Sequence, residues 1–210
     1  QARPVRCIFA APTPNHDRMK RSNWIIIGVI ALLALYAVSF FNRVKKADLA
    51  VNQQWAQVEV AYQARADKTK NLVEIVKGAA DHENNTLVEV IEARNKAVTI
   101  TLTGEDLTPE KIKEFEEAQS RLGGAIGRLL VEQYPTLQAV QSFRDFQAQY
   151  EGMENRIAVE RRKFNDVVAA YNSNIVTFPG NLLAGVFGFQ PKVGFQAQAG
   201  SENAPDISFQ

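Results

Sequence analysis

Eighteen consecutive uncharged residues, Trp24 to Phe41 (WIIIGVIALLALYAVSFF), constrain this 210-residue chain more than any other feature. A helix that crosses the hydrocarbon core of a bilayer needs about 20 apolar residues, so the run lies near the short end of that range. A cleaved signal peptide would carry small residues at its cleavage site. Here the run closes on Ser39, Phe40 and Phe41 and is followed by Asn42 and Arg43. A core helix of a soluble protein would show a polar face, and this segment has none. Residues 24–41 therefore read as an uncleaved single-pass transmembrane anchor in contact with the lipid bilayer.

Orientation is set by flanking charge, and the flanks nearly balance. Lys20 and Arg21 precede the run; Arg43, Lys45 and Lys46 come after it. Met19-Lys20-Arg21 ahead of an apolar run resembles the start of a signal anchor, which would place the C-terminal region on the extracytoplasmic side of the cell membrane. Residues 1–23, with Pro4, Pro12 and Pro14, show no helical pattern and read as a disordered N-terminal extension. The charge balance of 24 basic against 23 acidic residues gives no case for nucleic acid. One cysteine, Cys7, cannot form an intrachain disulfide.

Beyond Arg43 apolar residues recur at alternating steps of three and four, the narrow seam of coiled-coil helices. The first seam is Val44, Ala47, Val51, Trp55, Val58, Tyr62, Thr69, Leu72, Val76 and Ala79, with one weak turn at Arg65 or Ala66. No proline separates it from the anchor, so one helix is expected from the membrane to about Gly78–Asp81. A second helix is expected from about His82 to Leu102. A third starts at Thr108-Pro109, a capping hydroxyl before a proline in the first turn, and ends before Tyr134-Pro135. Its Gly123, Gly124 and Gly127 predict a close approach by another backbone. A fourth, begun near Ser142 with Asp145 as a variant capping box, carries Phe143, Phe146, Tyr150, Met153, Ile157, Phe164, Tyr171 and Ile175. No strand alternation occurs between residues 44 and 178. The expected fold is all-α: an N-terminal transmembrane helix continuing into an elongated antiparallel four-helix bundle over residues 42–189.

That topology returns the end of the fourth helix to the membrane side. There the chain reads Phe178-Pro179-Gly180-Asn181-Leu182-Leu183-Ala184-Gly185-Val186-Phe187-Gly188-Phe189, almost wholly apolar. Either it caps the bundle core, or Phe178, Leu182, Leu183, Val186, Phe187 and Phe189 meet a partner or the headgroup region of the membrane. Residues 190–210 are polar and read as an extended C-terminal tail.

These residues resemble the bacterial LemA family. The resemblance is carried by Asn71-Leu72-Val73-Glu74-Ile75-Val76-Lys77-Gly78-Ala79-Ala80-Asp81-His82-Glu83 and Ala93-Arg94. It continues through Leu129 to Pro135, Phe143, Glu154-Asn155-Arg156-Ile157-Ala158-Val159, Arg161 to Asp166, Tyr171-Asn172 and Phe178 to Gly185. It covers about residues 24–208. The chain departs from the family pattern at Lys68, Thr69 and Lys70, where the family often has an apolar pair and a proline. The resemblance implies a membrane anchor, long antiparallel helices and no established enzymatic activity.

The sequence carries little that points to chemistry. His82 and Glu83 are a close pair of metal-ligand types, and the other histidine, His16, precedes the anchor. A zinc or di-iron site needs more ligands than these. No catalytic residue and no cofactor are expected. The polar residues Asn71, Glu154, Asn155, Arg156, Arg161, Asn165 and Asn172 lie in or beside seams and are expected to form a structural network, since interior polar groups need partners. The expected function is a non-enzymatic membrane-anchored scaffold that self-associates into a homo-oligomer and organises membrane or protein partners. The competing reading is an extracytoplasmic module that binds a peptide or protein.

Overall fold

A computed structural model describes residues 21–79, 85–131 and 141–196. The chain divides into two compact units, residues 1–39 and residues 40–210. One helix, α1 (Arg21–Ala79, 59 residues), begins in the first unit and continues into the second. In the first unit its apolar side chains stand uncovered from Trp24 to Val38. An 18-residue window there has a mean hydropathy of 2.5 and only 6% of it is buried. A helix buried in this chain's own core would have that surface covered. The helix is long and apolar enough to cross a membrane. It begins at Arg21, so residues 21–23, expected as part of a disordered extension, are helical. Residues 1–20, with Cys7 and His16, lie outside the described residues.

The second unit holds the rest of α1, then α2 (Asn85–Thr99), a 3-10 turn (Gly104–Asp106), α3 (Pro109–Val131), α4 (Gln141–Val176) and α5 (Gly180–Phe187). Among the described residues there is no strand. Side-chain pairings give the directions. Gln54 and Arg65 of α1 bond Glu160 and Glu154 of α4, so number rises on one helix as it falls on the other. Arg94 of α2 donates to the Ala66 carbonyl, and the chain just past α2 reaches Trp55, which donates to the Leu102 carbonyl. Arg161 of α4 bonds Glu116 of α3, and Tyr150 bonds the Gly123 carbonyl. Successive helices therefore run antiparallel, as short connections require.

The α1 seam is consumed inside the chain. Val44, Val51, Trp55, Val58, Tyr62, Leu72 and Val76 are all buried, as are Phe143, Phe146, Ile157, Phe164, Val168, Tyr171 and Ile175 of α4. Each such side chain contributes roughly 1.5–3 kcal/mol when fully covered. The core forms two clusters. One surrounds Trp55, Phe115 and Phe164; the other surrounds Leu72, Leu122, Ile126 and Phe146.

Several local expectations meet the structure differently. Helix α2 stops at Thr99, short of Leu102, where the β-branched run Thr99-Ile100-Thr101 disfavours helix. Leu102 instead turns its side chain into the core. The third helix starts at Pro109 as expected, with the Thr108 hydroxyl accepting the Lys111 N–H at 3.4 Å. Of its glycines, Gly123 alone faces tight space, and the neighbour is the Arg65 guanidinium, 3.1 Å from where a Cβ would stand, rather than a backbone. Gly127 has nothing within 4 Å. Asp145 bonds the Gln141 side chain at 2.7 Å. The Tyr134-Pro135 turn lies outside the described residues, as do His82 and Glu83.

The turn between α2 and α3 carries a titration. Thr103 Oγ1 donates to Asp106 Oδ2 at 2.6 Å, and Lys111 Nζ donates to Oδ1. The Lys111 bond, then those from Thr103, lower the Asp106 carboxyl from 3.8 to about 2. A carboxyl depressed on folding stabilises the fold above its unfolded value and ceases to do so as pH falls through its folded value. Asp106→Asn should therefore melt below the parent protein at pH 7. The gap should close as the pH falls from about 4 to about 2, read as paired urea titrations. A gap that stays constant over this range contradicts the assignment.

Candidate functional site

Two polar arrangements and one apolar surface stand out in the second unit. The first arrangement lies where α1, α3 and α4 meet. Arg65, only 3% exposed, replaces an apolar seam residue. Its guanidinium bonds Glu154 Oε1 at 2.8 Å, the Gln119 carbonyl at 2.7 Å and Gln119 Oε1 at 2.9 Å. Gln119 Nε2 in turn donates to the Ala97 carbonyl of α2 at 3.2 Å. One buried cation thus ties all four long helices. A planar fork with several donors is what such a junction needs.

The second arrangement is a strap. After α5 the chain turns at Gly188, whose φ of 72° favours glycine, and runs back along α4. Asn172 Nδ2 donates to the Lys192 carbonyl and its Oδ1 accepts the Lys192 N–H, both at 2.8 Å. Asn165 repeats the pattern on Phe195, at 3.0 and 2.8 Å. The two asparagines are seven residues apart, about 10.5 Å along a helix. Three residues of extended chain cover about 10 Å, which matches the step from 192 to 195. Each side-chain amide therefore reads one backbone amide as a neighbouring strand would. Tyr171 adds a bond to the Gln190 carbonyl, and Lys192 pairs with Asp48 of α1 at 2.9 Å. Phe195 stacks on Trp55, with centroids 5.7 Å apart, and lies under the Arg161 guanidinium. The tail expected from residue 190 thus supplies a core residue; residues 197–210 lie outside the described residues.

Each clamp removes two bonds when truncated, and a net bond contributes about 1 kcal/mol. Asn165→Ala and Asn172→Ala should speed amide hydrogen exchange at Phe195 and Lys192 respectively, by roughly 30-fold for about 2 kcal/mol, while the middle of α4 keeps its protection. Unchanged exchange in the strap contradicts the clamp.

Where the strap reaches Gln196, a groove of about 970 Å³ opens between α3 and α4. Tyr62, Ile112 and Ile157 give it an apolar floor, and Arg65, Glu116, Glu154 and Arg161 line it with charge. Arg161 bonds Glu116 Oε1 at 2.5 Å and the Gln196 carbonyl at 3.4 Å. Burial pushes the Glu116 carboxyl up, against the pull of Arg161. Burial, then the charge of Glu154, pushes the Tyr150 hydroxyl up to about 12, and burial raises Tyr62 as well. Both phenols stay protonated at neutral pH, and the Tyr150 hydroxyl donates to the Gly123 carbonyl at 3.3 Å. Among the described residues no three His, Cys, Asp or Glu side chains form a group that could hold a metal.

Of the polar residues singled out in the sequence, Glu154, Arg161, Asn165 and Asn172 join these arrangements. Asn71, Asn155 and Arg156 are exposed. Arg65 and Gln119 were not among them; their signal is a charged and an amide side chain at positions the seam reserves for apolar residues. Of the apolar candidates, Phe178, Leu182 and Val186 are 80%, 64% and 78% exposed, and Phe187 is exposed too. Leu183 and Phe189 pack against the core.

The model of the LemA family matches residues 54–209, about three quarters of the chain. Magnetosome proteins MamQ 1 and MamQ 2 of Paramagnetospirillum magneticum are each 40% identical to this chain over 81 residues, 38% of the chain and 30% of theirs. Magnetosome protein MamQ of Magnetospirillum gryphiswaldense is 40% identical over 75 residues, 35% of the chain and 28% of its own length. The chain thus spans under a third of the length of these relatives.

Proposed function

We infer the function from one premise: the chain belongs to the LemA family. It is a membrane-associated helical protein, and we read it as a non-enzymatic scaffold anchored by residues 24–41. The bundle holds a segment of another protein in the groove between α3 and α4. The observation that carries this reading is the strap, because the bundle already grips extended backbone at the mouth of that groove through paired side-chain amides. Further along, the groove has an apolar floor edged by charged and polar side chains. The names of the relatives give no reaction, and the charged groups of the groove are paired with one another rather than converging on a reacting atom.

A photo-crosslinking residue at Lys113 or Gly124, which line the groove, should capture one polypeptide in intact cells. The same residue at Val60, exposed on α1, should not capture it. Identical products from the groove and from Val60 would remove the reading.

Self-association is motivated by seams that could be shared between chains. Those of α1 and α4 are buried within the chain, so an oligomer would use other faces. Light scattering in mild detergent at micromolar concentration tests this, and a strict monomer counts against the self-associating scaffold. The signal-anchor pattern of Met19-Lys20-Arg21 supports an extracytoplasmic bundle. Alkaline phosphatase fused after Gln210 should then be active, and an inactive fusion reverses the orientation.

A further inference from the structure

Apart from the exposed Asn181, helix α5 is built of apolar residues and glycine, yet the bundle covers only one side of it. Gly180 and Ala184, four residues apart, are buried, and Leu183 packs against the core. On the other side Leu182 and Val186 are uncovered, as are Val176 at the end of α4 and Phe178 in the turn after it, while Phe187, on the Leu183 side and against Phe41, is partly uncovered. No charged residue occurs from Val176 to Phe189. A contiguous exposed surface of this kind on a folded domain marks a contact with something apolar.

Its place in the fold says what that is. The Phe41 ring lies 5.3 Å from Phe187 and 5.7 Å from Phe189, and the Phe40 ring lies 6.5 Å from Phe189. A Cβ on Gly180 would stand 2.9 Å from the Phe40 ring, so α5 packs directly on that side chain. Phe40 and Phe41 are the last two residues of the uncharged run. Exposed Arg43, Lys45 and Lys46 come immediately after, and the Lys45 ammonium lies 5.9 and 5.6 Å from the centroids of Phe41 and Phe189. Apolar and aromatic groups beside the end of a lipid-spanning run, with cations just beyond, is the order of groups found across a membrane interface.

We propose that α5 is a second membrane contact: Phe178, Leu182, Val186 and Phe187 insert into the interfacial region of the bilayer, with the adjacent lysines and arginine drawn to anionic headgroups. This rests on the reading of residues 24–41 as the anchor, and it adds that the base of the bundle is fastened to the lipid at two points. The anchor holds the chain at the membrane; α5 then meets the bilayer as an intramolecular event at high effective concentration.

The test uses the full chain with Cys7→Ser, in nanodiscs loaded with one copy each. A polarity-sensitive fluorophore is attached at Val186→Cys, at Ile30→Cys or at Val60→Cys, and nitroxide lipids labelled at the headgroup or in the acyl chain serve as quenchers. The Val186 label should emit to the blue of the Val60 label. Headgroup nitroxide should quench it at least threefold more strongly than Val60. Adding Leu182→Asp should reduce that quenching, and replacing phosphatidylcholine with about one third phosphatidylglycerol should increase it. The Ile30 label separates the two readings. Acyl-chain quenching at Ile30 without quenching at Val186 overturns the proposal and leaves the anchor intact; loss of quenching at both overturns the anchor. A blue shift at Val186 that occurs only with two copies per disc assigns the surface to a second copy of the chain and overturns the lipid contact.

Discussion

Replacing Trp55 with alanine is expected to destabilise the helical domain by about 3–5 kcal/mol, the usual cost of removing a large buried aromatic side chain. Trp55 is among the largest fully buried side chains and joins three elements to α1. Its indole meets Phe115 of α3 at 5.2 Å, Phe164 of α4 at 5.3 Å and Phe195 of the strap at 5.7 Å. It also donates to the Leu102 carbonyl at 3.0 Å, fixing the chain just after α2. Truncation opens a cavity among aromatic rings that cannot collapse together without moving helices. For a domain of this size the loss corresponds to a fall in melting temperature of roughly 10 °C. Trp55→Phe separates the contributions. It keeps most of the apolar contact but leaves the Leu102 carbonyl without its donor, and should cost about 1–3 kcal/mol. Thermal melts of the detergent-solubilised chain followed by circular dichroism measure both. A shift below about 3 °C for Trp55→Ala contradicts the central place given to this residue.

Arg65→Ala is expected to cost about 3 kcal/mol, through polar groups rather than through apolar area. Glu154 keeps some solvent, with its side chain 39% exposed, and can hydrate once its partner is gone. Gln119 is 5% exposed, and its side-chain oxygen loses the guanidinium donor that holds it between helices. Arg65→Lys should recover under half of the loss, since a single ammonium cannot reach three acceptors held in a fork. Arg65→Met should also be milder than alanine, because it refills the volume. Urea titrations of the three variants test the ranking; a lysine variant as stable as the parent shows that charge alone matters, and that the fork is irrelevant.

The arrangement of long helices was legible in the sequence because it rests on periodicity. Val44, Val51, Trp55, Val58 and Tyr62 repeat at three and four, and such a stripe is buried whatever it packs against. The strap was not legible. Asn165 and Asn172 stood out as polar residues near a seam, but a side-chain amide that bonds backbone leaves no trace in the sequence of the backbone it bonds. Phe195 was hidden for the same reason, as one aromatic residue in a polar tail. Arg65 read as a gap in the seam because hydrophobic patterning scores a buried cation as a defect, whereas the interior accepts one that has acceptors on neighbouring helices. Asn155 and Arg156 sit one and two residues beyond Glu154, and each step around a helix turns the side chain by about 100°, enough to carry them to the surface. In the segment from Phe178 to Phe189, position on the short helix sorts the apolar residues: Leu183 lies toward the core, while Leu182 and Val186 lie away from it.

A membrane anchor requires the exposed stretch Trp24–Val38 to meet lipid, while α1 from the buried Phe40 onward meets protein. Nitroxide side chains placed one at a time from Ile25 to Val60 in bilayers, with accessibility to oxygen and to a polar nickel complex compared at each, measure this directly. Oxygen accessibility should dominate from about Ile26 to Val38. Past Arg43 both accessibilities should fall at Val44, Val51, Trp55 and Val58, and the nickel complex should prevail at the exposed positions between them. Low accessibility to both reagents throughout Ile26–Val38 would place that stretch inside protein and contradict the account.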